Sequence, residues 1–297
     1  MRNLIKARMY AYFHTPLLLI AATVCLGSGL LGIPNCVFQK EYAQDVTQIS
    51  PIDDMWPLMG MWTLGILTAL CAGKLFSDGT IRNAISVGYT KTQVYFAEIL
   101  ASLPVTGILF LLTMLPMFII GWWYFAWMPL LSAVKYVLVL YLSFVVSDFL
   151  AILLAFLTTN RAISVVLVFG LEVGIYAIIG WLDGYYYNTE PREITLPITY
   201  EVNGEEVTEE VTFTNNYYIE GPLKTLVHIE HYCNMMAPVH DVDSFFYVMD
   251  FTKATDEEIV EHERSQRRQN YNLLTLTAYC ALFSLGGAAV FRRKNLR

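Results

Sequence analysis

Six long apolar stretches constrain this chain more than anything else in it. They run over about 17–33, 57–75, 94–122, 132–157, 162–182 and 272–291, each close to or above the ~20 residues that a helix needs to cross a hydrocarbon core. In lipid every backbone N–H and C=O must be paired within the segment, so stretches of this kind are α-helices. The expected fold is an all-α polytopic membrane protein with six transmembrane helices. Composition agrees: 56 % of the 297 residues are hydrophobic and only 15 % are charged, where a soluble chain carries about a quarter charged residues. Trp56, Trp122, Trp123, Trp127, Trp181 and Tyr185–Tyr187 gather at the ends of the stretches, as an interfacial belt does.

Orientation follows from Lys and Arg. With both termini in the cytosol, the inner segments hold Arg2, Lys6 and Arg8, then Lys74, Arg82 and Lys91, then Arg161, and finally Arg292, Arg293, Lys294 and Arg297. The short outer loops hold only Lys40, and long loops have no weight in this rule. The basic 1–14 segment precedes an apolar run without a convincing small-residue cleavage site, so that run is expected to stay as a span.

Between the fifth and sixth stretches lies a polar segment, 183–271, expected to form a small extracellular α+β insertion. Residues 194–202 and 205–214 alternate apolar and polar about Asn203-Gly204, the strongest short-range hairpin signal. A two-residue turn would set Tyr200 opposite Val207, Leu196 opposite Val211 and Ile194 opposite Phe213, with Pro197 confining its strand to an edge. Thr255-Asp-Glu-Glu258 reads as a capping box opening a helix to about Arg268. The segment has 18 acidic against 6 basic residues. Its net −12 leaves +5 for the rest, so the outer face would attract cations or serve simply as a solvated surface.

The polar segment between the second and third stretches has internal order. Asp78-Gly79 signals a turn. Thr80 to Ser86 then reads as a two-turn helix with Ile81 and Ile85 on one face. Gly88 ends it, and Thr90 caps the helix that runs back into the membrane. A short amphipathic helix between two spans suits docking onto a soluble partner; the same pattern also fits a helix lying on the lipid surface.

Familiar catalytic and binding patterns are missing. The sequence has no G-x-x-x-x-G-K-[ST], G-x-S-x-G, H-E-x-x-H or paired C-x-x-C motif, so neither direct ATP binding by that loop nor those hydrolase chemistries is indicated. No segment has the basic, aromatic-interleaved character of a nucleic-acid binder. His228, His231, Cys233 and Asp241 match no strong metal-ligand spacing, and no metal site is expected. Cys36 and Cys233 both fall outside the membrane, where a disulfide pinning the insertion to the first loop would persist. Intramembrane acids are functional candidates by default. Glu98, just inside its span, has Lys91 or Lys74 as candidate partners, and Asp148 has Arg161. Glu172, mid-span in Gly170-Leu-Glu-Val-Gly174, is the leading candidate for a substrate path with Asp148; helix–helix hydrogen bonding is the plainer reading of each.

With the six spans, the basic N-terminal segment, Gly79-Thr80-Ile81-Arg82-Asn83-x-Ile85-Ser86-x-Gly88-x-Thr90-Lys91 and a last span closing on Phe291-Arg292-Arg293-Lys294, the chain resembles the membrane subunit of ABC-2 export-type ABC transporters. The resemblance implies a permease subunit without catalysis of its own, in a bacterial plasma membrane. Residues 1–16 would be a cytosolic elbow, and 17–182 would hold helices 1–5 with a coupling segment at 76–92. The extracellular domain would be 183–271 with its hairpin at 194–214, and 272–297 the last helix and basic tail. Gly79, Thr80, Ile81, Arg82, Ile85 and Ser86 would couple to a separate ABC ATPase, which would hold ATP and Mg, and a second copy or related permease would complete the pair in the bilayer. Lys74 and Glu98 reverse the charges usual in that family at comparable places. The alternative, from another class, is a membrane-anchored sensor or immunity protein whose extracellular domain binds a ligand.

Overall fold

The computed structural model describes residues 1–42, 55–124, 130–187, 193–202, 205–215, 218–236 and 270–294. A twelve-residue helix α1 (Arg2–Phe13) turns at His14 into α2 (Pro16–Tyr42). There follow α3 (Met55–Ser77), the short α4 (Thr80–Ser86), α5 (Lys91–Tyr124), α6 (Leu130–Thr158) and α7 (Arg161–Tyr187). Strands β1 (Glu193–Val202) and β2 (Glu205–Thr214) and helix α8 (Pro222–Cys233) lead to the last long helix, α9 (Asn270–Arg293). Among the described residues, six helices (α2, α3, α5, α6, α7 and α9) are long and apolar enough to cross a membrane.

Helices α3 and α6 form the centre, each with 67 % of its apolar window buried, whereas α7 and α9 have 22 % and 17 %. Around α3 lie α2, α5, α6 and α7. Small residues let these helices approach closely, as membrane packing requires. A Cβ on Gly60 would stand 2.5 Å from Thr113 Oγ1, and one on Gly73 2.8 Å from Arg161 Cα. One end of the bundle carries α1, α4 and the end of α9; the opposite end carries the hairpin and α8.

At the hairpin end, β1 and β2 pair antiparallel with Tyr200 opposite Val207, Leu196 opposite Val211 and Ile194 opposite Phe213, the register a two-residue connection imposes. Helix α8 packs on α7. Beyond it, Asn234 Nδ2 donates to Ile175 O at 3.3 Å, Tyr279 Oη donates to Cys233 O at 2.7 Å, and Met235 and Met236 are buried in the main core. The segment after β2 is thereby strapped between α7 and α9. The expected helix at 255–268 lies outside the described residues.

At the other end, the first turns of α5 and the end of α9 are fastened together. Residues Leu282–Gly286 form a π-helical turn in α9, and such turns displace carbonyls from the α-helical ladder. Tyr95 Oη donates to Phe283 O at 2.7 Å. Gly287 makes this approach feasible, since a Cβ there would lie 2.1 Å from Tyr95 Oη. Lys91 Nζ donates to Lys294 O, and Lys294 Nζ donates to the last carbonyls of α6, Phe156 O at 3.1 Å and Leu157 O. A lysine at a helix C-terminus satisfies carbonyls that the helix itself leaves unpaired.

Candidate functional site

The α4 segment is built by local backbone chemistry. Gly79 sits at φ 68° and Gly88 at φ 104°, the left-handed region that only glycine enters cheaply. Gly88 N donates to Ile85 O at 3.0 Å and Tyr89 N to Ala84 O at 3.1 Å, the paired bonds of a Schellman stop. Thr90 then opens α5 with a capping box: Gln93 N donates to Thr90 Oγ1 at 3.2 Å, and Thr90 N donates to Gln93 Oε1 at 3.0 Å. The Thr90 cap is legible in the sequence; its reciprocal partner Gln93 completes a capping box with Gln at the third helical position.

The two faces of α4 do different things. Ile81 is 2 % exposed and Ile85 is half-buried; both pack into a cluster with Leu75, Val94, Tyr95 and Phe291. Arg82, Asn83 and Ser86 point outward with Val87, which is 77 % exposed. Ile81 and Ile85, expected among the coupling residues, therefore hold α4 in place. A docking partner would meet Arg82, Asn83, Ser86 and Val87 instead.

Glu98 corrects another expectation. Its partner is neither Lys91 nor Lys74 but Arg8 of α1, whose Nε donates to Oε2 at 2.5 Å and Nη2 to Oε1 at 2.8 Å. Tyr12 Oη adds a bond to Oε1 at 2.9 Å, and Arg8 Nη2 also reaches Cys71 O on α3 at 3.3 Å. Burial disfavours the charge on Arg8, but the adjoining Glu98 carboxylate overrides it and raises the arginine's pKa. Burial and then Glu98 push the Tyr12 phenol well above its ordinary value, so it remains a donor. Arg8 and Tyr12 stand one turn apart on α1. That spacing, opposite an acid one or two turns inside a span, was the available signal for the contact. Lys74 instead lies 3.9 Å from Asp78 in an exposed pair, of little energetic weight.

Among the described residues, no basic side chain is bonded to Asp148 or to Glu172. Asp148 does not answer Arg161: its two oxygens accept from Thr68 Oγ1 at 2.6 Å and Ser102 Oγ at 2.5 Å. Glu172 Oε1 accepts from Ser147 Oγ at 2.5 Å, while Oε2 has no partner among the described residues. Gly65 makes room for this carboxyl, since a Cβ there would stand 3.1 and 3.2 Å from its oxygens. Both acids join neighbouring helices by hydroxyl bonds. Ser102 follows Glu98 by one turn of α5, so consecutive turns bind first α1 and then α6.

Cys233 ends α8 as an exposed free thiol. The side chain of Cys36 lies outside the described residues, so the anticipated bridge has one end described and unbonded. Among the described residues no group of His, Cys, Asp or Glu is arranged to hold a metal ion; His240 and His262 lie outside them. Compared with known families and with characterised proteins, the chain matches no family model and no curated relative.

Proposed function

We propose that this chain is the transmembrane permease subunit of an ATP-driven exporter of the ABC-2 kind, coupled through α4 to a separate ATPase. The observation that carries the reading is the division of α4: its apolar face is locked into the core between two spans, and its outer face offers Arg82, Asn83, Ser86 and an exposed Val87. A rigidly mounted short helix with an apolar tip transmits a push; a loop helix resting on lipid would turn its isoleucines outward. The fastenings on either side support the same reading. Arg8–Glu98 ties α1 to α5, and Lys91 and Tyr95 tie the start of α5 to α9, so displacement of α4 would reach three helices.

In this reading both termini are cytosolic in a bacterial plasma membrane, the insertion is extracellular, and ATP with Mg binds only in the partner. A second copy or a related permease completes the route. The open face of α7 suits that partner: Gly170 and Gly174 are four residues apart, with nothing within 4 Å of where a Cβ would be, a spacing that favours close helix pairing in membranes. The weakly charged, aromatic-rich spans suit a peptide, drug or lipid-like cargo. The test is isolation of the tagged chain from its native membrane in mild detergent, with mass spectrometry of the bound proteins. A stoichiometric ATPase carrying a phosphate-binding loop is expected. Recovery of the chain alone, or with a kinase, would overturn the proposal in favour of a sensor.

A further inference from the structure

Gly286 and Gly287 stand side by side in α9, and the packing requires only one of them. A Cβ on Gly287 would lie 2.1 Å from Tyr95 Oη and 2.6 Å from Tyr95 Cζ, whereas one on Gly286 would meet nothing nearer than Leu282 Cδ1 at 3.9 Å. Alanine is the better helix former at such an open position. The π-helical turn Leu282–Gly286, which Tyr95 Oη grips through Phe283 O, accounts for the pair. A π turn holds one residue more than an α turn. Relaxing it to the α form moves everything after it by one residue, about 1.5 Å along the axis and about 100° around it. Gly286 then stands where Gly287 stands now. The tyrosine meets no Cβ in either register.

The rest of the helix end fits both registers as well. Gly287, Ala288 and Phe291 are its buried residues; the residues one place earlier are Gly286, Gly287 and Val290, again small or apolar. Phe291 packs against Phe76, Tyr95 and Phe156, and Val290, now 49 % exposed, would take its place. Valine fills less of that space, so the register seen is the resting one. Lys294 accepts from Lys91 Nζ through its carbonyl and reaches the last α6 carbonyls with its ammonium. Arg293 offers a carbonyl and a cation to the same partners one place earlier. We infer that the end of α9 is a one-residue ratchet: release of the π turn advances residues 287–294 past α5 and α6, away from the hairpin end. The device does not depend on the transporter reading and is present whatever α4 binds.

The test uses the full chain in phosphatidylcholine vesicles, a short bifunctional thiol reagent, and mass spectrometry to identify the cross-linked peptides beside those of the native cysteines. One variant carries Phe76→Cys with Phe291→Cys, which are neighbours in the register seen. The other carries Phe76→Cys with Val290→Cys, which become neighbours only after the shift. Both pairs are expected to cross-link, the Val290 pair several-fold more slowly. Adding Gly286→Ala places a Cβ in open space in the register seen but against Tyr95 in the other. It should therefore reduce cross-linking of the Val290 pair at least tenfold and leave the Phe291 pair unchanged. If the Phe291 pair does not fold, the Val290 pair with and without Gly286→Ala decides alone. A Val290 pair that never cross-links, or that does so equally fast with Gly286→Ala, would overturn the inference.

Discussion

Glu98 and Glu172 are both fully buried carboxyls in spanning helices, and the protein accommodates them in opposite ways. Glu98 receives a bidentate arginine and a tyrosine from α1, a helix that does not cross the membrane. Glu172 receives one serine hydroxyl from α6 and a space left by Gly65. The first arrangement places a full ion pair at the edge of the bundle, where removing either charge strands the other. The second is a single helix–helix hydrogen bond with an oxygen to spare. One acid anchors the short helix α1 to α5; the other joins two spans.

The comparison breaks first at Arg8. Arg8→Ala leaves a buried acid without its cation and should cost about 3–5 kcal/mol, read as a fall in thermal stability of the detergent-solubilised chain. Adding Glu98→Leu should recover much of the loss, because the stranded charge is gone. Glu98→Gln alone should be nearly as damaging as Arg8→Ala, with Arg8 now the unpaired group. Gly65→Val addresses the other acid by crowding it: the new side chain would meet Val168 at 2.9 Å as well as the Glu172 oxygens, an overpacking cost of about 1–3 kcal/mol. The smallest effect is expected for Glu172→Gln, where the amide oxygen still accepts from Ser147 and the change stays within about 1 kcal/mol. If Glu98→Gln and Glu172→Gln proved equally destabilising, the distinction between the two sites would be wrong.

What was legible in the sequence followed from local rules. Span lengths, the α4 boundaries set by Gly79 and Gly88, the Thr90 cap and the hairpin register all depend on a few neighbouring residues, and the described structure has them where those rules put them. Partners across the bundle were not legible. Sequence carries no distances and so points Glu98 to the lysines near it in the chain, whereas its partner is 90 positions away on α1. Charge alone matches Asp148 to Arg161, whereas hydroxyls on α3 and α5 satisfy it. Hydroxyl-bearing residues are common in spans, so nothing marks Thr68 or Ser102 beforehand. Ile81 is ambiguous in a different manner. Two isoleucines one turn apart identify an apolar face, but whether that face meets a partner or the chain's own core depends on packing.

That last distinction holds the functional account, and Val87→Asp tests it most directly. Val87 is largely exposed and outside the core, so the substitution should leave thermal stability within about 0.5 kcal/mol of wild type. The account predicts that the variant, isolated from native membranes beside the wild type, folds normally and loses its ATPase. A folded Val87→Asp chain that still brings down the ATPase in stoichiometric amount would contradict it.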